Sequence, residues 1–313
     1  MRCAVQDRPN WVPSNVDVER PNFARLYDYY LGGAHNFAVD RALAEQSNQL
    51  VPGTQLARNS RTFLRRAVRL CVDRGVTQFL DLGSGLPTAG NVHEVAQAAD
   101  RDCRVVYVDN EPVTVAHGRA MLRGNDLVGI VLADLRDVRA VLAAQETRRL
   151  LDFDRPVAVL MSGVLHFVPD SDRPAEIVAA YLDAAAPDSL LALSHVTGDV
   201  LPDVAGRLVA LAEHASTPLV TPRTREQIGR LFGGLELLDP GLTFTARWRC
   251  EQDLGWGRPP ADGVEAPRVD GAAVDGAGVD GAAADGRAVG FGDAAVVVSY
   301  AGVGHKPAAP RVG

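Results

Sequence analysis

Two carboxylates and two glycines carry the strongest chemical signal in this chain. Asp81 sits in an apolar run, "FLDL", and Gly83-Ser84-Gly85 follows before the text turns helical. Asp109 closes a second run, "RVVYVD", and Asn110 comes next. Asp134-Leu135 closes a third, "VGIVLADL". In open α/β sheets ligands sit outside the carboxyl ends of strands. A lone G-x-G is weak evidence for any one ligand. A P-loop is excluded, because no Lys-Ser/Thr pair follows. A dinucleotide is disfavoured twice. Thr88 stands where its fingerprint wants Gly or Ala, and the Asp81 carboxylate would repel a pyrophosphate at the helix N-terminus. That same carboxylate suits a cationic amino group. Asp109 can accept hydrogen bonds from both ribose hydroxyls. Asp134 can meet an exocyclic amine while Leu135 packs on a purine. Amino acid, sulfonium, ribose and adenine together describe S-adenosylmethionine. Taken singly, each acid could equally be a helix cap or a turn former. An acid or glycine at three successive strand ends is the informative pattern.

These residues need a sheet to position them. Apolar runs at 78–83, 104–110, 128–135, within 155–168, and at 189–196 alternate with helical text at 92–99, 112–122, 137–151 and 173–185. Fully apolar strands in a βαβ rhythm imply a parallel sheet covered on both faces. Right-handed crossovers then make it doubly wound. Strands at 235–240 and 294–304 bring the expected total to seven, with helices near 203–215 and 224–232 between. Ahead of the sheet, Leu26, Tyr29 and Tyr30 share a helical face that Gly32-Gly33 ends. A second helix starts near Ala38. A third carries Phe63, Leu64, Ala67, Val68 and Cys71 on one stripe and stops at Gly75.

The chain divides accordingly into a polar arm (1–20), a helical lid segment (21–75), a core (76–256), a low-complexity loop (257–292) and a last strand with tail (293–313). The loop holds a five-residue Asp-Gly repeat starting at Val269, Val274, Val279 and Ala284. Its period does not match the nine residues of calcium β-rolls, and its composition favours a solvated loop.

Composition narrows the partners. Of 313 residues 47% are hydrophobic and 23% charged, ordinary for a globular protein, and net charge is -7. That sign argues against general nucleic-acid affinity. The four cysteines lack CxxC or zinc spacing and read as free thiols, so no metal is expected. No apolar run is long enough to span a membrane, and "MRCAVQDRPNWVPSN" lacks a signal-peptide core. A cytoplasmic protein is the expectation.

The segments 24–41 ("ARLYDYYLGGAHNFAVDR"), 79–97 ("FLDLGSGLPTAGNVHEVAQ"), 104–122, 133–137 ("ADLRD"), 150–170, 234–242 and 300–306 resemble the class I S-adenosylmethionine-dependent methyltransferases. More narrowly, they resemble an actinobacterial-type family of these long catalogued as a domain of unknown function. The resemblance implies a Rossmann-like methyltransferase fold, S-adenosylmethionine as methyl donor and S-adenosylhomocysteine as product. It leaves the acceptor open. Carried over by motif, Asp81, Gly83, Ser84 and Gly85 form the cofactor loop. Asp109 and Asn110 serve the ribose side, and Asp134 and Leu135 the adenine. Ser162 and Val164 face the cofactor after the fourth strand. The Ser162-Gly163 pair departs from a more apolar family pattern and implies a wider pocket.

A methyl on sulfonium is already activated, so alignment supplies much of the rate. A base is needed only for a hydroxyl or a protonated amine. His166, just past the fourth strand, is the candidate, with packing or capping as its alternative reading. His195 stands second, and His35 reads as a lid residue. Tyr27 and Tyr30 would supply aromatic wall to a lid, and Gly33 with Gly32 a close approach or hinge. The bland alternative is a helix pair packed on the sheet. Arg58 and Asn59 could meet the methionine carboxylate or lie on a solvated face. The function expected is methyl transfer to a small-molecule acceptor. The rivals are a non-catalytic S-adenosylmethionine sensor and a nicotinamide-dependent oxidoreductase.

Overall fold

Five apolar runs become parallel strands: β1 (Gln78–Leu82), β2 (Arg104–Asp109), β3 (Val128–Leu132), β4 (Ala158–Ser162) and β5 (Leu190–Val196). Three more follow, β6 (Glu236–Leu237), β7 (Thr243–Phe244) and β8 (Ser299–His305), and β8 runs antiparallel to β5, β6 and β7. The order across the sheet is β3-β2-β1-β4-β5-β8-β6, with β7 also paired to β8. In chain order the helices are α1 (Phe23–Tyr30), α2 (Ala38–Asn48), α3 (Gly53–Asp73), α4 (Val92–Ala99), α5 (Pro112–Met121), α6 (Val138–Ala143), α7 (Gln145–Leu150), α8 (Pro174–Ala184), α9 (Pro202–Ala212) and α10 (Arg225–Arg230). This is a computed structural model, and it describes residues 17–86, 90–213, 215, 220–251 and 296–308. Thr88 and the Asp-Gly repeat lie outside the described residues.

Side chains of a strand alternate between faces, and both faces here are apolar. Leu80, Leu82, Val106, Val108 and Met161 pack on one side with Tyr181 and Leu182 of α8. Phe79, Val105, Tyr107 and Leu160 pack on the other with Phe63 and Val68 of α3. The same alternation turns Asp81 and Asp109 toward the α3 side. The two acids therefore share a face because each lies an even number of residues from an apolar anchor, Phe79 or Tyr107.

The doubly wound, mostly parallel sheet follows the alternation read from the sequence, with eight strands in place of seven. The extra one, β7, is two residues long, too short to show a period. The expected helix at 137–151 is two helices. Ala144 between them has φ -59 and ψ 145 and breaks the turn. The third helix begins at Gly53, nearly three turns before the first residue of its apolar stripe, Phe63.

Helices α1 and α2 are locked together by one buried carboxylate. Asp40 is fully buried and accepts hydrogen bonds from Arg25 Nε (2.8 Å), Asn22 N (2.8 Å) and Phe37 N (2.7 Å). Asn22 caps α1 through its side-chain oxygen and donates its amide to Glu111 Oε2 at 3.1 Å. Arg25 lies 3.7 Å from the other Glu111 oxygen. The N-terminal helices are thus tied to the turn after β2. Removing one partner of a buried ion pair costs about 3–5 kcal/mol. Asp40→Ala is expected to lose that much in urea unfolding; a loss below ~1 kcal/mol would show that this network does not hold the helices.

Candidate functional site

A cavity of about 290 Å3 opens at the carboxyl ends of the parallel strands. Across β2, β1, β4, β5 and β8 its floor carries Asp109, Asp81, Ser162, Ser194 and Ser299 in that order. Neighbouring strands lie about 4.8 Å apart, so this row spans roughly 19 Å. It is acidic at one end and hydroxylic at the other. The roof comes from α1, α3 and α9, through Tyr27, Arg61 and Leu208 among others.

At the acidic end the Asp109 carboxylate braces two turns. Oδ2 accepts from Gly85 N at 2.8 Å and Oδ1 from Glu111 N at 2.9 Å. A carboxylate has about four acceptor positions, so these backbone bonds leave acceptor capacity on a group that lines the cavity. Burial raises the Asp109 pKa, and the hydrogen bonds from Glu111, Gly85 and Asn110 oppose the rise. Asp81 lacks such bonds. Burial pushes its pKa up to about 7; the Arg61 charge opposes the rise and the neighbouring Asp109 adds to it.

The loop between these acids requires glycine. Gly83 has φ +72, and a Cβ there would lie 2.2 Å from Val164 Cγ2. Gly85 has φ +65. A side chain at 83 would be strained in the backbone and would displace the Val164 wall.

Arg61 was not anticipated. It is buried on α3, with its guanidinium 5.5 Å from the Tyr27 ring centre and 3.4 Å from Leu86 O. Its Nε has no hydrogen-bond partner. The signal was present in "RNSRTFLRR": Arg61 falls on the inward side with Phe63 and Leu64, whereas Arg58 points to solvent. Neither Arg58 nor Asn59 lines the cavity.

At the hydroxylic end Ser162 and Ser194 face each other, Oγ to Oγ at 3.0 Å. Ser299 is already engaged, accepting from Thr245 Oγ1 and donating to the His195 carbonyl. His166 lines the cavity, and its Nδ1 is closed off without a partner. Behind it lies Arg223, also buried, which donates to the Leu165 and Val168 carbonyls, to Asp170 and to His195 Nε2. That last bond makes His195 Nε2 an acceptor, so its Nδ1 carries the proton and donates to Val196 O at 2.7 Å. Burial holds both histidines neutral. The His195 pKa falls to about 4. That of His166 falls well below its usual value through burial, with His195 and Arg223 adding to the fall.

Comparison with known proteins agrees with this geometry. The model of a family described as S-adenosyl methyltransferase matches residues 9–274. The chain belongs to the S-adenosyl methyltransferase family. A methyltransferase candidate of Thermobifida fusca YX is 36% identical over 96% of this chain and 100% of its own, with a TM-score of 0.77. A DUF574 family protein of Streptomyces avermitilis MA-4680 is 30% identical over 93% and 99%, with a TM-score of 0.75. No curated protein matches. The chain is an S-adenosylmethionine-dependent methyltransferase with an unidentified acceptor, which sets aside the oxidoreductase reading.

Within this methyltransferase the cavity gathers Tyr27, Asp81, Gly83, Ser84, Gly85, Asp109, Asn110, Ser162, Val164 and His166. Three expected residues lie elsewhere. Asp134 is held by Arg136 two residues on, at 2.6 Å. Burial would raise its pKa, but the hydrogen bonds and charge of Arg136 outweigh this and lower it. Leu135 is buried in the core on the other face of the sheet, and its carbonyl accepts from Tyr181. Gly33 packs against Asp28, whose Oδ1 would lie 2.0 Å from an added Cβ. His195 is fully buried with both ring nitrogens used, and the His35 ring lies against that of His117, centres 3.8 Å apart and tilted by 46°; neither lines the cavity. Among the described residues no group of three or more His, Cys, Asp or Glu could hold a metal ion, and no helix is long and apolar enough to cross a membrane.

The Asp81 shift has a stability consequence with a definite sign. Its folded pKa, about 7, exceeds the ordinary 3.9 of an unfolded aspartate. The folded chain therefore holds the proton more tightly, and stability from this group falls as pH rises from about 4 through 7. Asparagine cannot ionise. The stability of Asp81→Asn relative to wild type should therefore rise by ~2–3 kcal/mol between pH 5 and pH 8, at ~1.4 kcal/mol per pKa unit. Urea titrations of the ligand-free proteins at both pH values check this. A constant difference would mean that Asp81 ionises normally.

Proposed function

We propose that the acidic end of the cavity holds S-adenosylmethionine and that the hydroxylic end receives a small-molecule acceptor. The observation that carries this reading is the pair of buried acids on adjacent strands, Asp109 braced and Asp81 without amide partners, facing one cavity with Arg61. Ionised Asp81 is costly when alone, and a cationic amino group beside it removes that cost. The unpartnered Nε of Arg61 suits the carboxylate of the same amino-acid moiety. The remaining acceptor capacity of Asp109 suits a ribose hydroxyl. Tyr27 covers this end from α1, while Ser84 and Asn110 flank it along the two turns. Gly83 lets Val164 approach the loop, which closes the wall toward β4. The sulfonium supplies an activated methyl group, so the protein's task is alignment and exclusion of water.

His166 serves as a neutral partner. Protonation would place an imidazolium in a buried site beside Arg223, so the imidazole stays uncharged across the physiological range. Its role is to orient the acceptor by a hydrogen bond and, for a hydroxyl, to take up the proton released on transfer. Arg223 acts through it, fixing the turn at 165–168 by its bonds to two carbonyls.

Calorimetry tests these assignments without knowledge of the acceptor. S-adenosylmethionine and S-adenosylhomocysteine should bind, and NAD and NADP should not. Charge-assisted hydrogen bonds are worth ~1.5–3 kcal/mol. Asp81→Ala and Arg61→Met should each weaken S-adenosylhomocysteine roughly ten- to a hundredfold. His166→Ala should leave that affinity within about a factor of two. Equal losses for His166→Ala and Asp81→Ala, with both folded, would place His166 in the cofactor site. Binding of NAD in preference to S-adenosylhomocysteine would overturn the reading.

A further inference from the structure

The cavity continues past the Ser162–Ser194 pair, and the chemistry of this extension differs from that of the acidic end. Among the described lining residues the charged side chains are Arg61, Asp81, Asp109 and Glu111, all of them at the β1–β2 end. The extension is walled by Val51 and Leu56 from the start of α3 and just before it, Leu208 and Leu211 from α9, Val196 at the end of β5 and Val298 ahead of β8. Four of these, Val51, Leu56, Leu208 and Val298, belong to one apolar cluster, so the wall is packed and preformed.

Polar atoms enter this region only as neutral groups. Ser299 spends its hydroxyl on His195 O and Thr245. The Ser162–Ser194 pair holds one hydrogen bond between its two oxygens and so leaves one hydroxyl hydrogen for another partner. His166 adds a ring at the same boundary. The one buried cation behind this boundary, Arg223, is fully committed to Asp170, two carbonyls and His195, and it does not line the cavity.

A charged group moved into such a space loses its hydration and finds no opposite charge among the described residues around it, a cost of several kcal/mol. An apolar molecule gains by the area it removes from water. We infer that the acceptor is a neutral, largely apolar ring compound with one hydroxyl-type group: the ring fills the extension between α3 and α9, and the hydroxyl meets the Ser162–Ser194 pair and His166 at its mouth, where its proton passes to the neutral imidazole as the oxygen takes the methyl group. Carboxylates, phosphates and ammonium compounds are excluded as acceptors. This inference rests on the proposed place of the cofactor at the acidic end.

The test uses the full chain and three probes of one shape: 2-naphthol, 2-naphthoate and naphthalen-2-ylmethylammonium. Each is titrated by calorimetry into protein saturated with S-adenosylhomocysteine, whose own binding is measured first. The naphthol should bind at least tenfold more tightly than either ion. Leu208→Glu places a carboxylate in the extension at a half-buried position of α9. It should weaken the naphthol at least tenfold, improve the ammonium probe relative to wild type, and leave S-adenosylhomocysteine within about twofold. Misfolding cannot produce that gain. If S-adenosylhomocysteine binds but the ions match or exceed the naphthol, or none of the three binds, the acceptor class is wrong while the cofactor site stands. If S-adenosylhomocysteine itself fails to bind, the cofactor reading fails first.

Discussion

The site hangs on one carboxylate. Asp109 holds the Gly85 amide on one side and the Glu111 amide on the other, which fixes the turns after β1 and β2 relative to each other. The glycine loop, the Val164 wall packed on Gly83 and the anchoring of α1 all follow from that brace. Glu111, held in the braced turn, receives Asn22 and approaches Arg25. Those two residues also contact the buried Asp40 that joins α1 to α2. A chain of polar contacts thus runs from the acidic end of the cavity to the N-terminal helices, and the roof is built in register with the floor.

The same end of the cavity is kept under electrostatic load. Two acids on adjacent strands face one space, and burial disfavours the charge on both. Asp109 relieves its share through backbone amides. Asp81 has only the charge of Arg61 to oppose its burial. A fold selected for stability alone would have little reason to keep such a group. A fold that must grip a zwitterionic amino acid has one, because the unfavourable term disappears when the ligand's ammonium arrives. At the far end of the row the load vanishes: serines bond to each other, histidines stay neutral, and Arg223 is spent on carbonyls and Asp170. In the proposed reading, that contrast between the two ends separates the donor from the acceptor.

Much of this was legible in the chain. Asp81, Gly83 and Asp109 could be read because strand ends in a parallel sheet converge on one edge, and a local motif sufficed to mark each end. Asp134 could not be judged that way. In the ligand-free chain it is engaged by Arg136 two residues later, which donates to both of its carboxylate oxygens. Arg61 stood in a run of arginines, and only the packing of α3 on the acids' face separates it from solvated Arg58. His195 looked like a second candidate base because it follows a strand. Its neighbour in space, Arg223, lies 28 residues away in sequence and occupies its free nitrogen. The apolar extension was invisible because its walls come from α3, α9 and Val298, which are remote along the chain.

The central claim is that Asp81 waits in partly protonated form for a cationic ligand. Calorimetric titration of S-adenosylhomocysteine at pH 7 in buffers of different ionisation enthalpy measures it directly. With a ligand-free pKa of about 7, binding should release roughly half a proton, more at pH 6 and little at pH 8.5. Binding with no proton release at any of these pH values, or with proton uptake at pH 6, would contradict the account.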